Sequence, residues 1–424
     1  MLYLRNNSLP YISFAFAFAL PFANGLNNYV LALFYFVVAL LLLSKQLNFQ
    51  KSNISTVLYS TILLMIPFLW SFFIVDNSTD VLIALERRLS FILTPIAFLF
   101  IPNKDIVRIK NFSLKGLTIG AVLSSFLLIV LVLNKYYSLK PFFTVDNDLF
   151  NYFHINTNFT NPIDIHPSYL GLYLLTSVVI LLFTDVFVSK IWKSLFVGLL
   201  SLSVLFVNSR IVLGLYFLLI LLYCGLFFQS KFKKRKLTVI STSILMTIVV
   251  VIFFSLFKNT YLFQRISKET TWELTHQVGT NYNRKGSGDS RVARWCAAIE
   301  VLREHPFIGH GISMETEVLK SQYIKMGMNT AARENYNSHN QFLGFTIEGG
   351  ILALILFCFY LIFNINFTLK SRDFLGLFFF VSIIAICLVE NLLVRNAGIT
   401  FVSFFSTIFL FTNFHQSKIN SKKI

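Results

Sequence analysis

Long apolar runs occur throughout the sequence and limit what it can fold into. Backbone N–H and C=O groups inside a bilayer have no water to bond, so such runs must form helices. Hydrophobic residues make up 56% of the 424 positions and charged residues only 13%, which is more apolar surface than a soluble fold buries. We therefore predict an all-α integral membrane protein of about 12 transmembrane helices. The runs lie roughly at 9–25, 27–44, 54–74, 80–101, 114–134, 166–187, 191–207, 211–229, 237–257, 339–363, 373–390 and 397–414.

The distribution of lysine and arginine predicts the orientation of these helices. The formal net charge is +17, which in a soluble protein would suggest nucleic-acid binding. Much of the excess lies instead in short loops between apolar runs, as the positive-inside rule describes for cytoplasmic loops. With the N-terminus inside, the basic loops near 104–115, 190–193 and 231–236 face the cytoplasm, whereas Lys135 and Lys258 run against the trend. The expected surrounding is membrane lipid, and no nucleic-acid partner is expected.

Two predicted outer segments are long enough to carry function. The first, 135–165, contains several aspartates, and the second spans 258–338. The chain thus divides into helices 1–9 over residues 1–257, the large loop 258–338, and helices 10–12 with a tail over 339–424. The large loop contains a predicted helix that Asp289 or Ser290 can cap and that ends before Pro306. One apolar face of this helix would let it lie on the membrane surface. That face consists of Val292, Trp295, Ala298, Ile299 and Leu302.

Charged and polar side chains gather at the predicted outer ends of the spans. Such residues are costly at a membrane boundary unless they are partnered or wet, so they are candidates for function. The planar fork of arginine binds phosphate through two parallel hydrogen bonds and stays charged in apolar surroundings. The arginines therefore indicate a lipid diphosphate as a ligand. The candidates are Glu86, Arg87, Arg88, His166, Arg210, Arg291, Arg294, His339, Asn340, Glu390 and Arg395.

Several of these residues have a structural alternative. Glu86 can pair with Arg87 and Arg88, which then snorkel to the surface. His166 can cap a helix by bonding to the backbone. Arg291 alone would be a solvated helix charge, and Arg294, Glu300 and Arg303 would be solvated or locally paired charges. Glu348, inside the tenth run, is either a proton site or the partner of an arginine.

His339 is the strongest catalytic candidate. It lies where the large loop re-enters the membrane, and a neutral imidazole accepts a proton near physiological pH. The alternative is an interfacial histidine with no chemical role. The sequence has no HExxH motif, and Asp146-Asn147-Asp148 is only a weak acidic pair. Neither a metal nor a cofactor is therefore expected.

Five segments carry motifs in a distinctive order: ERRLSFILTPIAF at 86–98, HPSYLGLYL at 166–174, NSRIVLGLY at 208–216, SRVARWCAAIEVLREHPFIGHG at 290–311 and SHNQFLGFTIEGGI at 338–351. Together they resemble the O-antigen ligase and O-antigen polymerase family of bacterial polyprenyl-linked glycan transferases. The resemblance covers about residues 86–363. It implies a C-type glycosyltransferase-like membrane fold with a large, partly helical periplasmic loop.

The resemblance also implies a reaction and its participants. The donor would be a glycan on undecaprenyl diphosphate in the inner membrane, with the active site facing the periplasm. Arg210 and Arg291 would bind the diphosphate, with Arg88 as a weaker third contact, and His339 would orient or deprotonate the acceptor hydroxyl. Direct displacement would invert the anomeric carbon, with arginines stabilising the leaving group in place of a metal. The supporting residues would be Arg87, Glu86, His166, Asn340 and Arg395.

The motifs leave the acceptor open. We expect an O-antigen ligase acting on lipid A-core, with a polysaccharide polymerase as the first alternative and a protein O-oligosaccharyltransferase as the second. A lipid-glycan flippase is a further alternative, although transporters usually hold substrate near the midplane, between repeated halves. A structural subunit with a binding loop is the third class.

Overall fold

The protein is all-helical where the structure describes it. The structure is a computed structural model, and it describes residues 2–22, 25–76, 78–139, 149–187, 189–231, 258–281 and 288–421, with isolated positions between 240 and 255. Within these ranges the β structure is limited to one bridge between Thr280 and Gly288. The prediction of an all-α fold is therefore confirmed.

The described helices are numbered here in chain order. They are α1 Leu2–Ala19, α2 Leu26–Leu43, α3 Ile54–Val57, α4 Ser71–Ile74, α5 Ser78–Arg87, α6 Ser90–Phe98, α7 Asn103–Leu139, α8 Thr157–Thr160, α9 Pro167–Phe183, α10 Lys190–Val207, α11 Arg210–Lys231, α12 Tyr261–Gln264, α13 Thr270–Glu273, α14 Arg291–Glu304, α15 Glu315–Lys325, α16 Asn329–Arg333, α17 Gln341–Ser371, α18 Phe374–Cys387 and α19 Asn396–Ser421. Shorter 3₁₀ turns cover Lys51–Asn53, Thr61–Phe68 and Asn161–Ile163, and a π-helical turn covers Arg265–Glu269.

Several of these helices suit a membrane. Six are long and apolar enough to cross one, and the count rises to eight if each of two bent pairs forms one span. Two further apolar helices, Ser8–Ala19 and Phe374–Cys387, are shorter. The predicted run at 237–257 lies mostly outside the described residues. The chain is thus a multi-pass membrane protein, and the figure of about 12 spans remains a prediction.

The predicted fourth span is not one continuous helix. It is divided into α5 and α6 at Arg88 and Leu89, directly after the charges of Glu86 and Arg87. Within α6, Pro95 has no N–H to bond the carbonyl of Phe91. The hydroxyl of Thr61 donates to that carbonyl instead, at 2.8 Å, so the proline is accommodated inside a buried helix.

The chain forms two compact units. The first consists of Met1–Leu117 with Thr271–Ile424, and the second of Thr118–Thr270. In the second unit α9 packs against α10 and α11. A Cβ at Gly171 of α9 would lie 2.7 Å from Cγ2 of Val212, so the close packing leaves room only for glycine. In the first unit α17 packs against α18, α19 and the turn Thr61–Phe68.

Helix α17 is interrupted near its start, and a loop segment fills the interruption. Gly350 adopts φ 67° and ψ −168°, which breaks the helical hydrogen-bond ladder. The N–H of His310 then donates to Ile347 O at 2.7 Å, that of Gly311 to Glu348 O at 2.9 Å, and that of Ile351 to Pro306 O at 2.9 Å. The Pro-x-x-Gly-x-Gly segment and the Glu-Gly-Gly segment, which are both motifs of the resemblance, are therefore one structural joint.

The described part of the large loop folds around its own core. Helices α14, α15 and α16 enclose mainly small residues, and Ile347 of α17 closes the cluster. The cluster comprises Ala293, Ala297, Ala298, Val301, Leu319, Tyr323, Met328, Ala331, Ala332 and Ile347.

The predicted apolar face of α14 is partly wrong. Ile299 is 46% exposed, whereas Ala293 and Ala297 are fully buried. Alanines let the neighbouring helices approach closely, so the buried face is rotated away from the larger apolar residues. The predicted helix bounds are confirmed, since Ser290 accepts a capping hydrogen bond from the N–H of Ala293.

Candidate functional site

His339 lies at the junction of the large loop and α17. Its backbone is in the left-handed region at φ 48°, and its N–H donates to Oδ1 of Asn337 at 3.0 Å. The next residue, Asn340, caps α17 by accepting from the N–H groups of Phe342 and Leu343. Asn340, a predicted supporting residue, thus caps the helix, and its side chain fixes the chain direction beside His339.

One carboxylate joins His339 to an arginine of the loop. Oε2 of Glu390 lies 3.0 Å from His339 Nδ1, and its Oε1 lies 3.4 Å from Nη2 of Arg291. These residues come from the loop junction, the segment before α19 and the start of α14. The structure therefore brings together two residues that the sequence singled out, through a third whose connecting role was not predicted.

The surroundings of His339 favour its neutral form. Burial lowers the pKa of His339, and the positive charges of Arg294 and Arg291 lower it further, while the hydrogen bond to Glu390 works in the opposite direction. A carboxylate at Nδ1 stabilises the tautomer that carries its proton there. Nε2 is then a lone-pair acceptor, and the side chain is 25% exposed. The imidazole can accept a proton from a group that reaches it.

Arg294 corrects one interpretation drawn from the sequence. It is only 4% exposed, and its Nη2 lies 3.4 Å from Oε2 of Glu273, while its guanidinium lies over the ring of Tyr336. Arg294 is therefore not a solvated helix charge. It faces the packed side of α14, where a buried carboxylate and an aromatic ring compensate its charge. Arg303 and Glu300 do form the expected exposed local pair at 2.9 Å.

A buried polar network lies on the other side of the His339 backbone. Glu315 of α15 accepts from Ser338 N at 3.0 Å, from Ser338 Oγ at 2.6 Å and from Asn391 Nδ2 at 2.6 Å. Oδ1 of Asn391 accepts from the N–H of Asn340 at 2.7 Å. Burial raises the pKa of Glu315 to about 7, with the Glu348 carboxylate adding to the rise and the donated hydrogen bonds opposing it.

Arg88 is paired with Glu348, which resolves the alternatives for that acid. Nη2 of Arg88 lies 2.8 Å from Oε2 of Glu348, and both side chains are 4% exposed. The guanidinium also lies 5.0 Å from the ring centroid of Phe68. Oε1 of Glu348 accepts from the N–H of Ser313 at 2.8 Å. The interpretation in which Glu86 pairs with Arg88 is wrong, because the buried partner comes from α17 instead.

The second unit contains the remaining principal arginine. Nη2 of Arg210 lies 3.7 Å from Oε1 of Glu269, and Arg265 binds the same carboxylate through Nε at 2.9 Å. Arg210 and Arg265 therefore share one carboxylate. His166 caps α9, because its Nδ1 accepts from the N–H of Ser168 at 3.4 Å, as its structural alternative predicted.

Comparison with known proteins supports what the motifs suggested. Residues 195–358 match a family described as O-antigen ligase. Over these residues the chain is similar to the O-antigen ligase family, as the motifs predicted. No curated protein sequence matches it. The family assignment implies a glycosyltransferase-type enzyme of the O-antigen ligase or polymerase kind, with a lipid-linked glycan donor and a glycan acceptor.

The matched O-antigen ligase segment includes Arg210, Arg291 and His339 but not Glu390. In the sequence, Glu390 lies among the outer charges but nothing connects it with His339. Roles for Glu315, Ser338 and Asn391 were not predicted. An acid followed by an asparagine after an apolar run was the only available signal. The roles of these four residues depend on contacts between segments far apart in the chain, which a local sequence pattern does not contain.

The other candidate residues have fewer described contacts. Glu86, Arg87 and Arg395 are exposed, which fits snorkelling or solvated charges better than a buried ligand set. Asp146 and Asp148 lie outside the described residues. Among the described residues, no three His, Cys, Asp or Glu side chains cluster in a way that could hold a metal ion.

Proposed function

We propose that this protein transfers a glycan from undecaprenyl diphosphate to an acceptor hydroxyl with inversion, as an O-antigen ligase using lipid A-core as acceptor. The observation that carries the proposal is the contact of Glu390 with both His339 and Arg291. It joins a base to a phosphate-binding side chain at the point where the large loop meets α17. Both parts are needed for displacement at an anomeric carbon.

In the proposed step, His339 Nε2 accepts the proton of the acceptor hydroxyl as that oxygen attacks the anomeric carbon. The new C–O bond forms on the face opposite the diphosphate, whose own C–O bond breaks. The electron pair of that bond goes to the diphosphate oxygen, where negative charge develops. Arg291 stabilises this charge, because one Nη2 contact to Glu390 leaves most of its five donors available. Glu390 holds the imidazole in the tautomer that the step requires.

Arg210 is proposed as a second diphosphate ligand. The support is the family resemblance of NSRIVLGLY together with the partly buried position of Arg210, whose side chain is 17% exposed. A partly buried guanidinium suits an anion, because it stays charged there and offers a planar fork of donors. Arg88 is the weakest of the three proposed ligands, because Glu348 already neutralises it.

The proposed site faces the periplasm and the chain lies in the inner membrane of a bacterium. The support is the loop charge distribution, which puts the lysine-rich connections on the opposite side from the large loop. The domain division at 257 and 338 follows from the same topology. A polysaccharide polymerase is the alternative function, since the motifs and the family match fit both.

The decisive experiment replaces His339 with alanine and follows glycan attachment in cells. We expect attachment to be lost while the protein still inserts, and the matched control His276→Ala, an exposed loop histidine, to behave as wild type. Long polymer accumulating on the lipid carrier indicates a ligase, and single repeats indicate a polymerase. Normal attachment by the His339→Ala variant would overturn the proposed base.

A further inference from the structure

The segments that flank His339 and Glu390 meet at a single buried carboxylate. Ser338 immediately precedes His339, and Asn391 immediately follows Glu390. Both side chains bind Glu315, at 2.6 Å in each case. Glu315 therefore contacts the chain neighbour of the base and the chain neighbour of its carboxylate partner.

A further bond closes the arrangement around His339. Asn391 Oδ1 accepts from the N–H of Asn340 at 2.7 Å, and Ser338 Oγ lies 3.0 Å from Asn340 O. The residues before and after His339 are thus both held by the pair of Glu315 and Asn391. Outside this pair, Trp295 Nε1 donates to Ser338 O at 3.0 Å, which fixes the remaining polar group of Ser338.

We propose that Glu315 and Asn391 are positioning residues. They fix the position of the His339 side chain relative to Glu390, so that the imidazole meets the acceptor hydroxyl in one orientation. This inference rests on the proposed function of His339. The left-handed backbone of His339, at φ 48°, is unfavourable for a residue with a Cβ and persists only where its surroundings impose it. The Glu315 network is positioned to impose it.

The chemistry of the network requires an acid on one side and an amide on the other. Glu315 is the acceptor in its bonds with Ser338 N, Ser338 Oγ and Asn391 Nδ2. An ionised carboxylate, which only accepts, is the complement of three donors. Asn391 both donates to Glu315 and accepts from Asn340, which a carboxylate at position 391 cannot do. Burial raises the pKa of Glu315, and the hydrogen bonds from Ser338 and Asn391 oppose that rise and so favour the ionised form.

This complementarity makes an exchange experiment possible. Glu315→Gln sets two amide NH₂ groups against each other, and Asn391→Asp sets two carboxylates against each other, so each single variant breaks the network. The double variant Glu315→Gln/Asn391→Asp restores it with the donor reversed. The amide introduced at position 315 would then donate to the carboxylate introduced at position 391 and accept from Ser338. That new carboxylate would still accept from Asn340.

We expect each single variant to lower kcat by about 10²-fold, the effect of a displacement near 1 Å at a reacting group, with little change in the KM for the lipid-linked donor. The double variant should regain at least about tenfold of that loss, which is the signature of direct coupling. Asp289→Asn is the matched control. Asp289 is also a buried loop acid that accepts two backbone N–H bonds, from Gly279 and Ala331, so its replacement should lower the melting temperature and spare kcat.

A second measurement does not depend on transfer. The ¹⁵N chemical shifts of His339, assigned with His339→Gln, report which ring nitrogen carries the proton. We expect Nδ1–H in the wild type and the double variant, and a tautomer mixture in the singles and in Ser338→Ala. Unchanged shifts in the singles, or a double variant no better than either single, would overturn the inference. Wild-type protein that transfers no glycan but shows these shifts would overturn the proposed function alone.

Discussion

At the residue scale, the chemistry of the site depends on how each charge is partnered. Glu390 shares its two oxygens between His339 Nδ1 and Arg291 Nη2, whereas Arg88 gives its shortest contact to Glu348. Both arginines were candidate diphosphate ligands in the sequence, with Arg88 as the weaker contact. Their different partners separate a partly exposed arginine beside the proposed base from one that is sealed inside the helices.

We predict that Glu390→Gln lowers kcat within the range of roughly 10²–10⁴-fold that general-base catalysis contributes. The acidic limb of the pH–rate profile should also move. Burial already puts the pKa of His339 below its ordinary value and the Glu390 carboxylate opposes that shift, so its removal lowers the pKa further. In the wild type the rate should decline only below about pH 6.5. In Glu390→Gln this decline should begin at a still lower pH.

A pH series of initial rates with purified protein checks this prediction. Arg303→Met is a suitable control, because Arg303 pairs with Glu300 on the exposed side of α14. An acidic limb that moves to higher pH in Glu390→Gln would show that the carboxylate acts in another way.

We predict that Arg88 and Glu348 stabilise the fold only as a pair. Removing one partner of a buried ion pair leaves an uncompensated charge and costs about 3–5 kcal/mol. Arg88→Met and Glu348→Gln should each lower the unfolding temperature in detergent, Arg88→Met more strongly because it strands a carboxylate. The double variant should recover much of the loss, since the amide introduced at position 348 can still accept from Ser313. Additive losses in the double variant would contradict the pairing.

At the element scale, the break in α17 positions the site. The segment 306–311 replaces helical hydrogen bonds around Gly350, and this joint fixes where the large loop attaches to the helix that follows His339. Gly309 and Gly350 both have positive φ, 69° and 67°, and a Cβ on Gly309 would lie 2.6 Å from the backbone carbon of Glu348. Glycine is therefore required at this joint.

We predict that Gly350→Ala destabilises the protein by several kcal/mol, on the order of the largest single-residue effects. Its Cβ would collide with the backbone of Phe307, and the left-handed conformation adds strain. Gly198→Ala in α10 is the control, because a Cβ there meets no atom within 4 Å and alanine suits a helix interior. Thermal unfolding in one detergent compares the two, and an equal response from both would show that the joint is not tight.

The helices themselves were largely predictable, because a helix depends on local pattern. Ser290 and His166 were assigned as helix starts from neighbouring residues alone, and both cap helices in the structure. The apolar face of α14 was assigned wrongly because residue size was taken as the signal. The face is decided by the close approach of α15 and α16, which selects Ala293 and Ala297.

At the scale of the whole molecule, the topology remains a prediction that accessibility can test. The four native cysteines are at 224, 296, 358 and 387, and a cysteine-free chain would carry one new cysteine at a time. Lys104 and Arg303 are both exposed. We predict that a membrane-impermeant maleimide, applied to spheroplasts, labels Arg303→Cys and reaches Lys104→Cys only after lysis. Labelling of Lys104→Cys in intact spheroplasts would invert the topology.

The sequence alone determined that this chain is a helical membrane protein and that it resembles the O-antigen ligase family. Apolar runs, caps and motifs are local, and the bilayer requires helices wherever such runs occur. Tertiary structure decided which charges are partners. Arg88 and Glu348 are 260 residues apart, and His339 and Glu390 are 51 apart, so their contacts depend on how helices pack. Burial makes an unpaired charge costly, and the partner that relieves that cost can come from any segment that packing brings close.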